Sequence, residues 1–141
     1  MQRTLFGLVV AASLTLAARD GHEQRGGQVK VLSATEIAEK LDGKEAKATT
    51  VEVTLQPGQA GAPHRHPGPV FGYIVEGEYE WAIDDKPAKT LKVGDTFYEP
   101  TGCLHRVSKN PSKTGKTRVL AVVVHPRDAK VIAIPEKGGK E

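Results

Sequence analysis

The sequence predicts an all-β protein, one small barrel or sandwich, and three observations lead there. Short Val/Ile/Leu segments stand between Gly- and Pro-bearing turns. The 141 residues include 15 Gly and 9 Pro. Helix-favouring runs are few, and the length suits a single compact domain.

The elements follow in order. Residues 1–18 read as a secretory signal: Arg3 supplies a positive charge, residues 5–18 are apolar apart from small residues, and polar chain begins at Arg19. The run is too short to span a bilayer comfortably and ends in small residues, so cleavage near Ala17 or Ala18 is expected. The mature protein is then exported, periplasmic or extracellular, without stable membrane insertion.

Residues 19–48 form a leader and a short N-terminal helix over 34–41, with Ser33 as N-cap, Glu36 three residues on and Gly43 as the stop. The barrel is expected over 49–134. In it Val51, Val53 and Leu55 alternate with Glu52 and Thr54, the pattern of a half-buried strand. Gln56-Pro57-Gly58 ends that strand.

Further strands read at 70–76, 78–84, 89–93, 95–99 and 104–108, with turns at Gly77, Asp84-Asp85 and Gly94. The apolar run 119–124 suits a strand buried on both faces or at a subunit contact. A last strand is expected at 131–134, and 135–141 is a polar tail.

A formal charge of +3 with scattered lysines argues against nucleic acid as a partner. The single cysteine, Cys103, excludes an internal disulfide, so stability must come from the barrel core, to which a partner subunit can add.

The chemistry concentrates in His64-Arg65-His66. In extended chain, residues two apart point the same way, so both imidazoles can face one interior while Arg65 faces out. Gly58 precedes the pair and Gly77 follows it. Downstream, Gly94, Pro100, Gly102 and His105 form G-x5-P-x-G-x2-H.

This set resembles the two motifs of the cupin superfamily, G-x5-H-x-H-x3,4-E-x6-G and G-x5-P-x-G-x2-H-x3-N. Eight of the ten defined positions match, across about residues 49–124. The resemblance implies a single small cupin barrel (a double-stranded β-helix or jelly roll). It also implies one divalent metal ion, Fe, Zn, Mn or Ni, on His64, His66 and His105. Small cupins of this kind are commonly homodimers.

Two positions depart from the pattern. Val70 stands where the motif has its metal-binding glutamate, and Lys109 where it has its final asparagine, with Asn110 one place late. Three readings of the missing glutamate stand open. Three neutral imidazoles hold the metal alone, leaving its full +2 charge for an anionic ligand; or another carboxylate substitutes, Glu99 by strand parity with Phe97 before Glu76; or the barrel binds an organic ligand without metal.

Cys103 lies two residues before His105, near enough in extended chain to share its side, and reads more simply as a small buried side chain in a turn. His22 and His125 read as surface residues. Phe71, Tyr73, Tyr79, Trp81, Phe97 and Tyr98 must divide between the pocket and the outside. Arg65 and Arg106 should face away from the ligands and brace their strands.

Two function classes fit. One is a metal-dependent enzyme acting on a small anionic organic molecule, dioxygenase-like with iron and isomerase-like with zinc, nickel or manganese. The other is a non-catalytic module that binds a metal or small ligand. No general base is identifiable from the sequence.

Overall fold

The computed structural model describes residues 27–137; the expected signal segment lies outside them, as does most of the leader. Among the described residues every regular element is a strand. They form two five-stranded sheets, paired antiparallel throughout.

One sheet runs in the order β1 (Gln28–Leu41), β2 (Lys44–Leu55), β9 (Thr117–Pro126), β4 (Val70–Glu76), β7 (Thr96–Glu99). The other runs β10 (Ile134–Pro135), β3 (His64–Arg65), β8 (Leu104–Lys109), β5 (Glu78–Ile83), β6 (Lys89–Lys92). From β2 onward the chain passes repeatedly between the sheets, so neighbours in space come from distant parts of the sequence.

The helix expected over 34–41 is instead the second half of β1. Gly43 is not a helix stop but part of a two-residue hairpin turn. Asp42 and Gly43 have φ of 49° and 74°, and Leu41 pairs directly with Lys44. Asp-Gly favours this turn because both of its residues must take positive φ. Once the turn forms, β2 supplies partners for the whole of β1, and cross-strand hydrogen bonding overrides the local capping signal.

Strand β9 also differs from expectation. It lies at the centre of its sheet and alternates buried and half-buried residues along its length. It therefore has one core face rather than two. The last strand forms at Ile134–Pro135, slightly later than the sequence suggested.

The sheets enclose a core of Val51, Leu55, Val70, Ile74, Tyr79, Phe97, Val119, Ala121 and Val123. A glycine admits one of its two aromatics, Phe97. Gly72 pairs directly with Phe97, and a Cβ on Gly72 would lie 2.0 Å from Phe97 Cζ. The tip of the ring occupies the place a Cβ would take, so any side chain there would displace it. We expect Gly72→Ala to destabilise the protein by about 1–3 kcal/mol through overpacking. Denaturant unfolding should show a lower midpoint with an unchanged slope.

Candidate metal centre

The two-residue strand β3 is too short to hold its own position and is pinned from both sides. His64 pairs directly with His105 of β8, and Ile134 and Pro135 of β10 pair with Arg65 and His64. Arg65 faces outward as expected. Its Nη1 donates to Gly102 O at 2.8 Å and its Nε to Glu136 Oε2 at 2.9 Å. The Gly102 N–H donates in turn to His66 O at 3.1 Å. Gly102 makes this close exchange at φ 74°, a conformation that suits glycine.

His64, His66 and His105 converge, with one candidate ligand atom from each lying within 4.8 Å of the others. His64 Nδ1 donates to Ala62 O at 2.8 Å, and His66 Nδ1 to Ile132 O at 2.5 Å. A carbonyl can only accept, so these bonds place the ring protons on Nδ1 and leave both Nε2 atoms as bare lone pairs. The two Nε2 atoms are 3.1 Å apart. A metal at about 2.0–2.1 Å from each nitrogen sets them roughly 2.9–3.4 Å apart, depending on the coordination angle. An Nδ1–H bonded to a backbone carbonyl is also the usual way a ligating imidazole is oriented.

His105 is held differently. The Tyr79 hydroxyl donates to Ser108 Oγ at 2.8 Å, so its oxygen accepts from His105 Nε2 at 3.3 Å. The unprotonated Nδ1 then faces Glu99 Oε1 at 3.1 Å. Oε1 also accepts from Trp81 Nε1 at 2.9 Å. Glu99 Oε2 lies 3.6 Å from His66 Nε2 and has no hydrogen-bond partner, although Glu99 is 1% exposed.

Burial sets the charge states. It pushes His66 down to about 4, with the nearby His64 adding to the effect. It pushes His105 down to about 3, helped by His64 and His66. Burial pushes Glu99 up to about 7, against the lowering effect of the Trp81 hydrogen bond. At neutral pH both imidazoles are neutral, so the short Glu99–His105 approach is not an ion pair. It needs either a proton on Glu99 or a cation bound close by.

These groups line a cavity of about 210 Å³ whose other walls are mostly apolar, Val51, Leu55, Val70, Phe97, Val119 and Val123 among them. That is smaller than the roughly 300–1,000 Å³ of drug-sized sites, so an occupant must be small. Among the described residues, no Lys or Arg lines it. Inward lone pairs without hydrogens between them, together with an orphaned carboxylate oxygen, fit a bound divalent cation.

A family model described as "Cupin domain" matches residues 51–123, more than half of the chain. The chain belongs to the cupin family.

Solved structures agree on the fold. An uncharacterized conserved protein with a double-stranded β-helix domain from Klebsiella pneumoniae is 24% identical, with TM-score 0.59 over 79% of this chain and 86% of that one. The DMSP lyase DddQ from Ruegeria pomeroyi is 19% identical, with TM-score 0.56 over 82% of this cupin and 54% of the lyase. An oxalate oxidase in complex with the substrate analogue glycolate is 24% identical, with TM-score 0.51 over 81% and 58%. No curated protein matches the sequence.

The remaining candidates fall into place around the site of this cupin. Cys103 is half-buried and outside the histidine cluster, and burial pushes its thiol up to about 11, away from thiolate chemistry. Arg106 braces the turn after β5, donating to Asp84 O and Lys86 O at 2.8 Å each. Tyr79 and Phe97 face the cavity, while Phe71, Tyr73 and Tyr98 are exposed.

His125 is not a surface residue: it is 3% exposed, donates from Nδ1 to Pro126 O and accepts at Nε2 from Thr49 Oγ1. Sequence reasoning also undervalued Asn110. It is fully buried, and its Nδ2 donates to the carbonyls of Leu55, Gln56 and Gly115. Its late position follows from a β-bulge: Ile83 pairs with His105 but Ala82 with Val107, so Arg106 is an extra residue.

The Glu99 shift has a testable sign. In metal-free protein the cost of ionising Glu99 appears as pH rises above 4.5 and is complete above about 7. The stability of Glu99→Gln relative to the native chain should therefore increase across that window and level off beyond it. Denaturant melts of chelator-treated protein at several pH values check this, and a flat difference would contradict it.

Proposed function

We propose that this cupin is a metal-dependent enzyme acting on a small organic molecule that carries one anionic donor group. His64, His66 and His105 hold the metal. The reading rests above all on the two bare Nε2 atoms held 3.1 Å apart by carbonyl-bound Nδ1 hydrogens. A divalent ion there supplies Lewis acidity to the donor group and, in the case of iron, access to oxygen chemistry.

The chain's own residues orient and exclude. The apolar walls take the body of the ligand and keep water out, and Tyr79 and Ser108 fix the His105 ring. Because no Lys or Arg among the described residues lines the cavity, an anionic group would find its partner charge at the metal. The lyase and the oxalate oxidase of like fold support the enzyme class without choosing a substrate. On this reading the mature protein works in the periplasm or outside the cell, supported by Arg3 and the apolar run 5–18. It works as a homodimer, for which Val29, Val31 and Leu32, exposed on edge strand β1, offer a surface.

The rival is a non-catalytic binding module, favoured by the scarcity of ionisable groups in the cavity beyond the cluster and Glu99. It would show ligand-dependent rises in Tm without turnover.

The test is the metal content of protein purified from cells grown with mixed metals, measured by mass spectrometry. We expect near-stoichiometric metal in the native chain and none in a folded variant with His64, His66 and His105 changed to Ala. No metal in either form, after reconstitution with Fe(II), Zn, Mn and Ni, would overturn the proposal.

A further inference from the structure

The cupin pattern places its carboxylate at the position occupied here by Val70, on β4. Val70 is buried and lines the cavity. In the antiparallel pair of β4 and β7, the residue directly opposite Val70 is Glu99. Opposed residues of an antiparallel pair project from the same face of the sheet. Glu99 therefore enters, from the neighbouring strand, the space that a glutamate at Val70 would have entered.

We propose that Glu99 is the carboxylate ligand of this site, carried across the sheet from the position of Val70. The inference rests on the metal reading above and specifies its ligand set. Three observations support it. Glu99 is 1% exposed, and its Oε2 has no hydrogen-bond partner while lying 3.6 Å from the bare Nε2 of His66. Such an oxygen is costly to bury unless a cation or donor meets it. Among the described residues the cavity offers no Lys or Arg for that purpose. Finally, Trp81 Nε1 occupies Oε1, which leaves Oε2 as the ligating atom and makes the ligation one-armed.

The assignment changes the chemistry expected of the pocket. A carboxylate on a divalent ion lowers the local charge from +2 to +1, which favours a singly charged ligand over a doubly charged one. It also leaves, among the described residues, no other carboxylate lining the cavity to serve as a base.

The experiment is a Co(II) titration of the purified protein, read by visible absorption and metal analysis. The chains are the native protein, Glu99→Gln, His64→Ala and the double exchange Val70→Glu with Glu99→Val. Losing a ligand should weaken Co(II) binding by about 100-fold or more, beyond the 10–100-fold typical of outer hydrogen-bond partners. It should also shift the d–d bands, which a purely structural role would leave in place.

Glu99→Gln binding Co(II) as tightly as the native chain, with the same bands, would overturn the ligand assignment while leaving the histidine site intact. If Glu99→Gln does not fold, the double exchange decides. Native-like bands with affinity within about 10-fold support the swap, and folded protein with binding as weak as a lost ligand implies overturns it. A native chain that takes no Co(II), or a His64→Ala chain that binds it equally well, would instead overturn the parent reading.

Discussion

His64 and His66 are held with their Nδ1 hydrogens on backbone carbonyls, so two unprotonated nitrogens face each other at 3.1 Å inside a mostly apolar cavity. Two acceptors at that distance repel, and the low-dielectric surroundings strengthen the repulsion. A shared cation converts it into attraction. Much of the nearby structure serves to keep the pair in place. Strand β3 is clamped between β8 and β10, and Arg65 ties it to Gly102 and Glu136 from outside. The outward arginine thus matters to the inward histidines without approaching the cavity.

The contrast with His125 clarifies what distinguishes a ligand from a structural histidine. His125 is buried and His66 half-buried, and both donate from Nδ1 to a carbonyl. At His125 the remaining nitrogen accepts from Thr49, so the ring is saturated. At His66 the remaining nitrogen meets, among the described residues, His64 and the carboxylate of Glu99. Burial alone therefore does not identify the site; unsatisfied acceptors do. The core cooperates too, because Gly72 leaves room for the Phe97 ring that forms part of the apolar wall.

Much of this was legible in the sequence because it depends on short-range periodicity. The spacing of two between His64 and His66 set a common direction, and the downstream Gly-Pro-Gly-His spacing supplied the third ring. The failures have a common cause in pairing that local sequence does not display. Ser33 and Glu36 make a good helix start, but Asp42-Gly43 makes a tight hairpin, and only the partner strand decides between them. The extra residue before Asn110 looked like a departure from the pattern until the bulge at Arg106 accounted for it. Parity along one strand singled out Glu99. Its pairing with Val70 across two strands, the stronger argument, required the register. The depth of His125 likewise came from its place at the end of a central strand.

The central claim is that three imidazoles from two segments hold one metal ion. X-ray absorption at the edge of the metal in loaded protein tests it most directly. The account predicts a shell of nitrogen and oxygen at about 2.0–2.2 Å with the outer-shell scattering of about three imidazole rings. An all-oxygen shell without imidazole scattering would contradict it, because the metal would then sit away from His64, His66 and His105.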